Sequence, residues 1–233
     1  ARKAAEDEDD ESVLESLTDD HLIQSLNDIF FAGVDTTRAT LRWVFLYLAA
    51  YPDVQEKIQQ EVDGIVGRDR LPRLYDRPNL PYTEAFLYEV MRLSTVAPIG
   101  VPHQAVCDTK IGEYDVPKCT MVIINYWALH HDPKNWEDVD KFKPDRYLTN
   151  DGGLRPKPDH WLPFSAGPRV CLGESVAKPE LHLLLASLMQ RFIVRLPEGA
   201  QADFAPLNGI NANCPKNQKL VIKPRNSDHN VAI

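Results

Sequence analysis

One short run constrains this chain more than any other: Phe164-Ser165-Ala166-Gly167-Pro168-Arg169-Val170-Cys171-Leu172-Gly173. A single cysteine stands in a glycine-punctuated loop immediately ahead of a helical pattern. Gly167 and Gly173 permit tight turns and the close approach of a flat group. A cysteine at a helix N-terminus meets the positive end of the backbone dipole and free N–H donors. These favour the thiolate and tune a metal bound to sulfur. Arg169 adds a fixed cation suited to a carboxylate. Taken alone the run has two readings: a thiolate metal ligand, or a strand-to-helix turn with a buried thiol and a surface arginine. Cys107, Cys119 and Cys214 stand far away and no CxxC pair occurs. That spacing argues against a zinc cluster and against a disulfide framework.

Two further stretches carry chemistry-bearing residues at helical spacing. Glu89 and Arg92 stand three apart in a helical pattern and share a face. Such a pair is either an exposed contact contributing about 0.2–0.5 kcal/mol or part of a buried network. Ala32-Gly33-Val34-Asp35-Thr36-Thr37 lies in the middle of a long, largely apolar helical pattern. Gly33 costs about 1 kcal/mol against alanine there, and threonine hydroxyls compete for backbone carbonyls. The choice is between a close helix–helix contact with a solvent-facing Asp35 and a polar site in a buried helix.

The periodicity predicts helices over 19–50, 54–66, 82–94 and 172–192. Short strands are expected at 104–106, 109–111 and 121–125, with a terminal sheet pairing 194–196 and 220–222. Residues 131–170 read as a long irregular stretch, which is tolerated in a compact chain when it is functional. Pro179 falls inside the last helix, where it removes a backbone hydrogen bond. The fold class expected is mainly α with small β-sheets. The net charge of −8 is concentrated at one end, where nine acids in the first 20 residues face only Arg2 and Lys3. Residues 1–17 are therefore expected to be an acidic flexible linker, 18–226 the folded unit and 227–233 a flexible tail. The near-neutral remainder argues against nucleic-acid binding. No run of 18 apolar residues and no secretory signal occurs. A chain opening without Met inside a charge run is expected to be a piece of something longer.

Together these motifs resemble the cytochrome P450 family. The cysteine run matches F-x-x-G-x-R-x-C-x-G at every fixed position, Glu89–Arg92 matches E-x-x-R, and Ala32–Thr37 matches [AG]-G-x-[DE]-T-[TS]. Phe142-Lys143-Pro144-Asp145-Arg146-Tyr147 is similar to the family's P-E-R-F segment. The motifs occur in the family's order and cover about residues 18–223. Within the family's microsomal group, Asp28–Thr37, Val96–Pro98 and Val122–His131 look most like the steroid 17-alpha-hydroxylase/17,20-lyases. Phe31, where that subfamily has Gly, Cys119, where it has a turn Gly, and Pro179 depart from it.

The resemblance implies a cytochrome P450 fold, here its C-terminal portion from the I to the L helix with the meander and haem-binding loop. It implies haem b, with Cys171 as the iron ligand whose thiolate favours O–O cleavage. Phe164 and Gly173 belong to the same loop, and Arg169 and His103 would contact the propionates. Glu89, Arg92 and Arg146 would form a buried triad. Thr36 and Asp35, with ordered water, would deliver protons to the dioxygen being reduced. Ala32, Gly33, Val96, Ala97, Ile99 and Val101 would line an apolar pocket. The implied activity is monooxygenation of an apolar substrate, expected to be a steroid. The alternatives are a xenobiotic-metabolising microsomal enzyme and a truncated, non-catalytic haem-binding fragment. Implied partners are NADPH-cytochrome P450 reductase and possible cytochrome b5, met by Lys141, Lys143 and Lys178. The full-length protein would be anchored at the cytoplasmic face of the endoplasmic reticulum membrane, through an N-terminal half that this chain lacks. Without that half the chain is expected to be inactive alone.

Overall fold

The computed structural model describes residues 18–207 and 212–225. The expected linker 1–17 and tail 227–233 lie outside the described residues. The architecture is mainly helical. Helix α1 (Asp19–Ala50) starts on Thr18, whose hydroxyl accepts from the His21 N–H at 3.3 Å. It ends two residues before Pro52, which opens α2 (Pro52–Ile65) at the position where a missing N–H costs nothing. Helix α3 (Pro81–Ser94) also opens on proline and borrows its cap from α2. The Glu61 carboxylate accepts from the N–H groups of Tyr82 and Thr83 at 2.7 and 2.8 Å. The short α4 (Tyr126–His130) is capped by Asn125, whose side chain accepts from Ala128 N at 2.9 Å. Helix α5 (Glu174–Arg191) runs through Pro179 as one helical segment.

Four two-stranded antiparallel sheets complete the fold. β1 (His103–Gln104) pairs with β4 (Met121–Val122), and β2 (Thr109–Ile111) with β3 (Tyr114–Val116). β5 (Phe192–Arg195) pairs with β8 (Val221–Pro224), the expected terminal sheet, and β6 (Pro206–Leu207) with β7 (Cys214–Pro215). The strand expected over 121–125 stops at Val122 because Asn125 turns the chain into α4. Cys119, at a position expected to suit glycine, does adopt a left-handed φ of 69°.

The core lies where the second half of α1, α2, α3 and α5 meet. Every residue of α3 except Pro81 and Leu93 is buried. Fully buried Phe86, Leu87, Ile58, Leu181 and Leu185 each contribute about 1.5–3 kcal/mol by leaving water. The irregular 131–170 region is held against this core by Trp136, Tyr147 and Trp161, all buried. Among the described residues no helix is long and apolar enough to cross a membrane.

Candidate functional site

Glu89 and Arg92 are wholly buried, at 0% exposure each, which rules out the exposed-pair reading. Arg92 donates through Nε to Glu89 Oε2 and through Nη2 to Oε1, both at 2.9 Å. Arg146, in the 3-10 turn Pro144–Tyr147, adds a bond from Nε to Oε1 at 3.0 Å, and the Lys143 N–H adds another at 3.0 Å. One carboxylate thus meets two guanidinium groups. Their remaining donors go to carbonyls at the end of α4 and in the irregular region. Arg92 Nη1 donates to His130 and Val139, and Arg146 Nη1 to Glu137 at 2.7 Å. The ring of Trp136 lies 5.0 Å from the Arg92 guanidinium. A buried ion cluster is tolerable when its donors and acceptors are met in this way. The result is a rigid post under the long coil.

The cysteine loop rises from the same post. Trp161 Nε1 donates to Tyr88 O of α3 at 3.0 Å, and the Leu162 N–H donates to His130 Nε2 at 3.0 Å. Ser165 takes a left-handed φ of 67°, unusual for a residue with a Cβ, and Gly167 takes 74°. Two contacts hold Ser165 there: its N–H donates to Leu162 O at 3.2 Å, and the Tyr126 hydroxyl donates to Ser165 Oγ at 2.7 Å. The loop then closes with Cys171 N donating to Phe164 O at 2.8 Å. Cys171 is exposed, not the buried thiol of the alternative reading. Gly173 caps α5 beside the sulfur, where an added Cβ would make only ordinary contact with Cys171 Sγ at 3.9 Å. Leu172, at 86%, Val176 and Val170 are exposed around it, and so is Arg169. An accessible thiol flanked by apolar side chains and a cation fits a flat apolar group with carboxylate edges.

Tyr126 also links the apolar run to the loop. Its ring lies over Gly100, and Trp127 N donates to Pro98 O at 3.0 Å. Val96 and Ala97 are half-buried, whereas Ile99 and Val101 are exposed. His103 is half-buried on β1, in register with Val122. Sequence reasoning missed Tyr126 and His130, whose partners lie 39 and 32 residues away. The Asn125 cap signal, which marks α4, was the available clue.

In α1 the Thr36 hydroxyl donates to Ala32 O at 2.7 Å, the backbone competition expected of a threonine in a helix. Asp35 is half-exposed and pairs with Arg38 at 3.4 Å. An open groove of about 630 Å³ runs along α1 past Phe30, Gly33, Thr37 and Leu41 to Glu180 of α5. Of the expected pocket residues it takes in Gly33 alone. Lys178 does not serve as an exposed docking cation. It is buried, with its ammonium on Glu174 and between the rings of Trp161 and Phe164 at 5.2 and 5.1 Å. Lys141 and Lys143 are exposed, and both pair with Asp138.

The cytochrome P450 family model matches residues 1–221. The chain belongs to the cytochrome P450 family. It is 51% identical over 184 residues to the steroid 17-alpha-hydroxylase/17,20 lyase of Ictalurus punctatus, covering 78% of this chain and 36% of that one. Identity to the enzyme of the same name from Gallus gallus is 50% over 183 residues, with the same coverage. The cytochrome P450 1A2 of Oryctolagus cuniculus is 41% identical over 209 residues, 89% of this chain and 40% of that one. A solved structure of a zebra fish cytochrome P450 with abiraterone superposes with a TM-score of 0.83 at 43% identity. It covers 90% of this chain and 50% of that one. The P450 chain spans between a third and two fifths of the curated relatives' length in these matches.

Proposed function

We propose that the protein to which this chain belongs is a haem-thiolate monooxygenase that inserts one atom of dioxygen into a steroid. The carrying observation is Cys171: an accessible sulfur on a loop pinned by Tyr126, His130 and the Glu89–Arg92–Arg146 post. When bound, haem b supplies the redox chemistry and the site of dioxygen reduction. The chain's own residues have separate tasks. Cys171 would hold the iron, with Gly173 beside the sulfur at the start of α5 and Phe164 closing the loop's backbone. Arg169 and His103 pair the propionates. Thr36 and Asp35 would hold the proton path on α1, where the Thr36 hydroxyl donates to Ala32 O. Ala32, Gly33, Val96, Ala97, Ile99 and Val101 border the substrate.

The steroid assignment rests on similarity to the two 17-alpha-hydroxylase/17,20 lyases. Electrons would come from NADPH-cytochrome P450 reductase, with cytochrome b5 as a second partner, at the cytoplasmic face of the endoplasmic reticulum membrane. Lys141 and Lys143 remain the exposed cations suited to an acidic partner.

The full-length protein, reduced under carbon monoxide, is expected to show the thiolate-specific red-shifted Soret band. Cys171→Ser should remove it, and survival of the band would overturn the ligand assignment. Incubation with progesterone and pregnenolone tests the substrate: 17-hydroxylated products are expected, and inertness toward both would refute the steroid reading.

A further inference from the structure

His130 is fully buried at the end of α4, and both of its ring nitrogens are engaged. The Leu162 N–H can only donate, so Nε2 is the acceptor and Nδ1 carries the ring proton. That proton then goes to Thr95 Oγ1 at 3.0 Å. The Thr95 hydroxyl passes its own hydrogen to Arg92 O at 2.6 Å. The His130 carbonyl meanwhile accepts from Arg92 Nη1 at 2.9 Å. The residue is therefore hooked to Arg92 twice, once by its backbone and once through its ring and Thr95. Thr95 holds its place at the end of α3 in a left-handed conformation of φ 35°. Burial keeps the imidazole neutral by pressing it down to about 3, and the nearby His131, Arg92 and His160 act in the same direction. A neutral ring is the form that can accept from Leu162.

The receiving end is the lead-in to the cysteine loop. Leu162 O accepts from Ser165 N, and Phe164 O accepts from Cys171 N. Leu162 thus passes a fixed position to the strained Ser165, two residues beyond which the loop turns again at Gly167. We propose that His130 is a positioning residue for the Cys171 loop, transmitting the rigidity of the Glu89–Arg92 post to the backbone that presents the thiolate. The link itself is a property of the chain; only its spectroscopic consequence rests on the haem reading.

The test uses the full-length protein with His130→Phe, which keeps a ring and removes both nitrogens, and His130→Gln, whose Oε1 replaces the Nε2 acceptor. Thr95→Val, which breaks the relay but leaves the ring, is a milder third variant. Amide exchange at Leu162 and the fraction of thiolate-type Soret band are measured together. In His130→Phe, exchange at Leu162 should accelerate about tenfold, as for loss of one buried hydrogen bond. The thiolate-type fraction should fall with it. His130→Gln should restore both, and Thr95→Val should shift both in the direction of His130→Phe by less. Wild-type exchange and an unchanged band in His130→Phe would overturn the proposal. So would equal defects in the Phe and Gln variants, or exchange rising as much in Ala39–Ala49 of α1 as at Leu162. If the unmodified protein shows no thiolate band while Leu162 exchange still follows His130, the haem reading fails and the positional link stands.

Discussion

Two helices of this chain invert the usual distribution of side chains, in opposite directions. Helix α3 buries Glu84, Glu89 and Arg92. The first half of α1 does the reverse: Leu22, Ile23, Leu26, Ile29 and Val34 are exposed, with Phe30 at 73% and Phe31 at 70%. The contrast lies in where each helix finds its partners. Every buried charge on α3 is answered within the chain: Glu84 by Arg77 and His182, and Glu89 by Arg92 and Arg146. The apolar stripe of α1 has no comparable cover among the described residues. Buried charge is stable here because it is fully hydrogen-bonded, so α3 should be sensitive to single changes and the first half of α1 tolerant of them.

The sharpest way to break that comparison is Glu89→Gln, which leaves two guanidinium groups facing an amide. A loss of about 3–5 kcal/mol in denaturant unfolding is expected, and a loss under about 1 kcal/mol would show that the cluster is not what holds the coil. Acid comes next. Burial pushes Glu84 up, but the hydrogen bonds from His182 and Arg77 outweigh it and hold the carboxyl at about 2, below its usual 4.5. Its stabilisation is complete above pH 4.5 and is lost as pH falls towards 2. His130, held at about 3 against 6.5, favours the fold as a neutral ring, so its contribution is complete above pH 6.5 and declines below it. Stability should therefore fall by roughly 2–3 kcal/mol between pH 6.5 and 4.5, and then more steeply. His130→Phe should flatten the first limb and Glu84→Gln the second; pH titration of the unfolding midpoint reads both. A smaller effect is expected at Gly33, where an added Cβ meets nothing within 4 Å. Gly33→Ala should stabilise α1 by about 1 kcal/mol, and a destabilised variant would mean that the face is covered after all. Smallest of all, Phe30→Ser should change unfolding stability by less than about 0.5 kcal/mol, measured in the same denaturant series.

What could be read from the sequence was whatever a fixed spacing of distinctive residue types encodes. The long helix broken ahead of Pro52 follows from local pattern. The cysteine run and the grouping of Glu89 and Arg92 with Arg146 were legible only through the resemblance to a family, and the structure does bring those three charged side chains together. Residues acting across long separations were illegible. His130 joins Arg92, 38 residues before it, to Leu162, 32 residues after it, and nothing near His130 encodes either partner. Its helix was hidden too, because five residues make too short a period to distinguish from the end of a strand. Lys178 looked like a surface cation by type, but Trp161 and Phe164, in the loop ahead of its helix, place their rings against its ammonium.

Gly100 touches neither the thiol nor any charged group, yet it has the least room for change of any described glycine. A Cβ there would stand 2.6 Å from the Tyr126 ring, on a backbone at φ +58° that side chains already resist. Displacing that ring would pull the phenol away from Ser165 and release the left-handed residue it restrains. Genetic variation at position 100 would then be felt in the Cys171 loop, transmitted through a single aromatic lever.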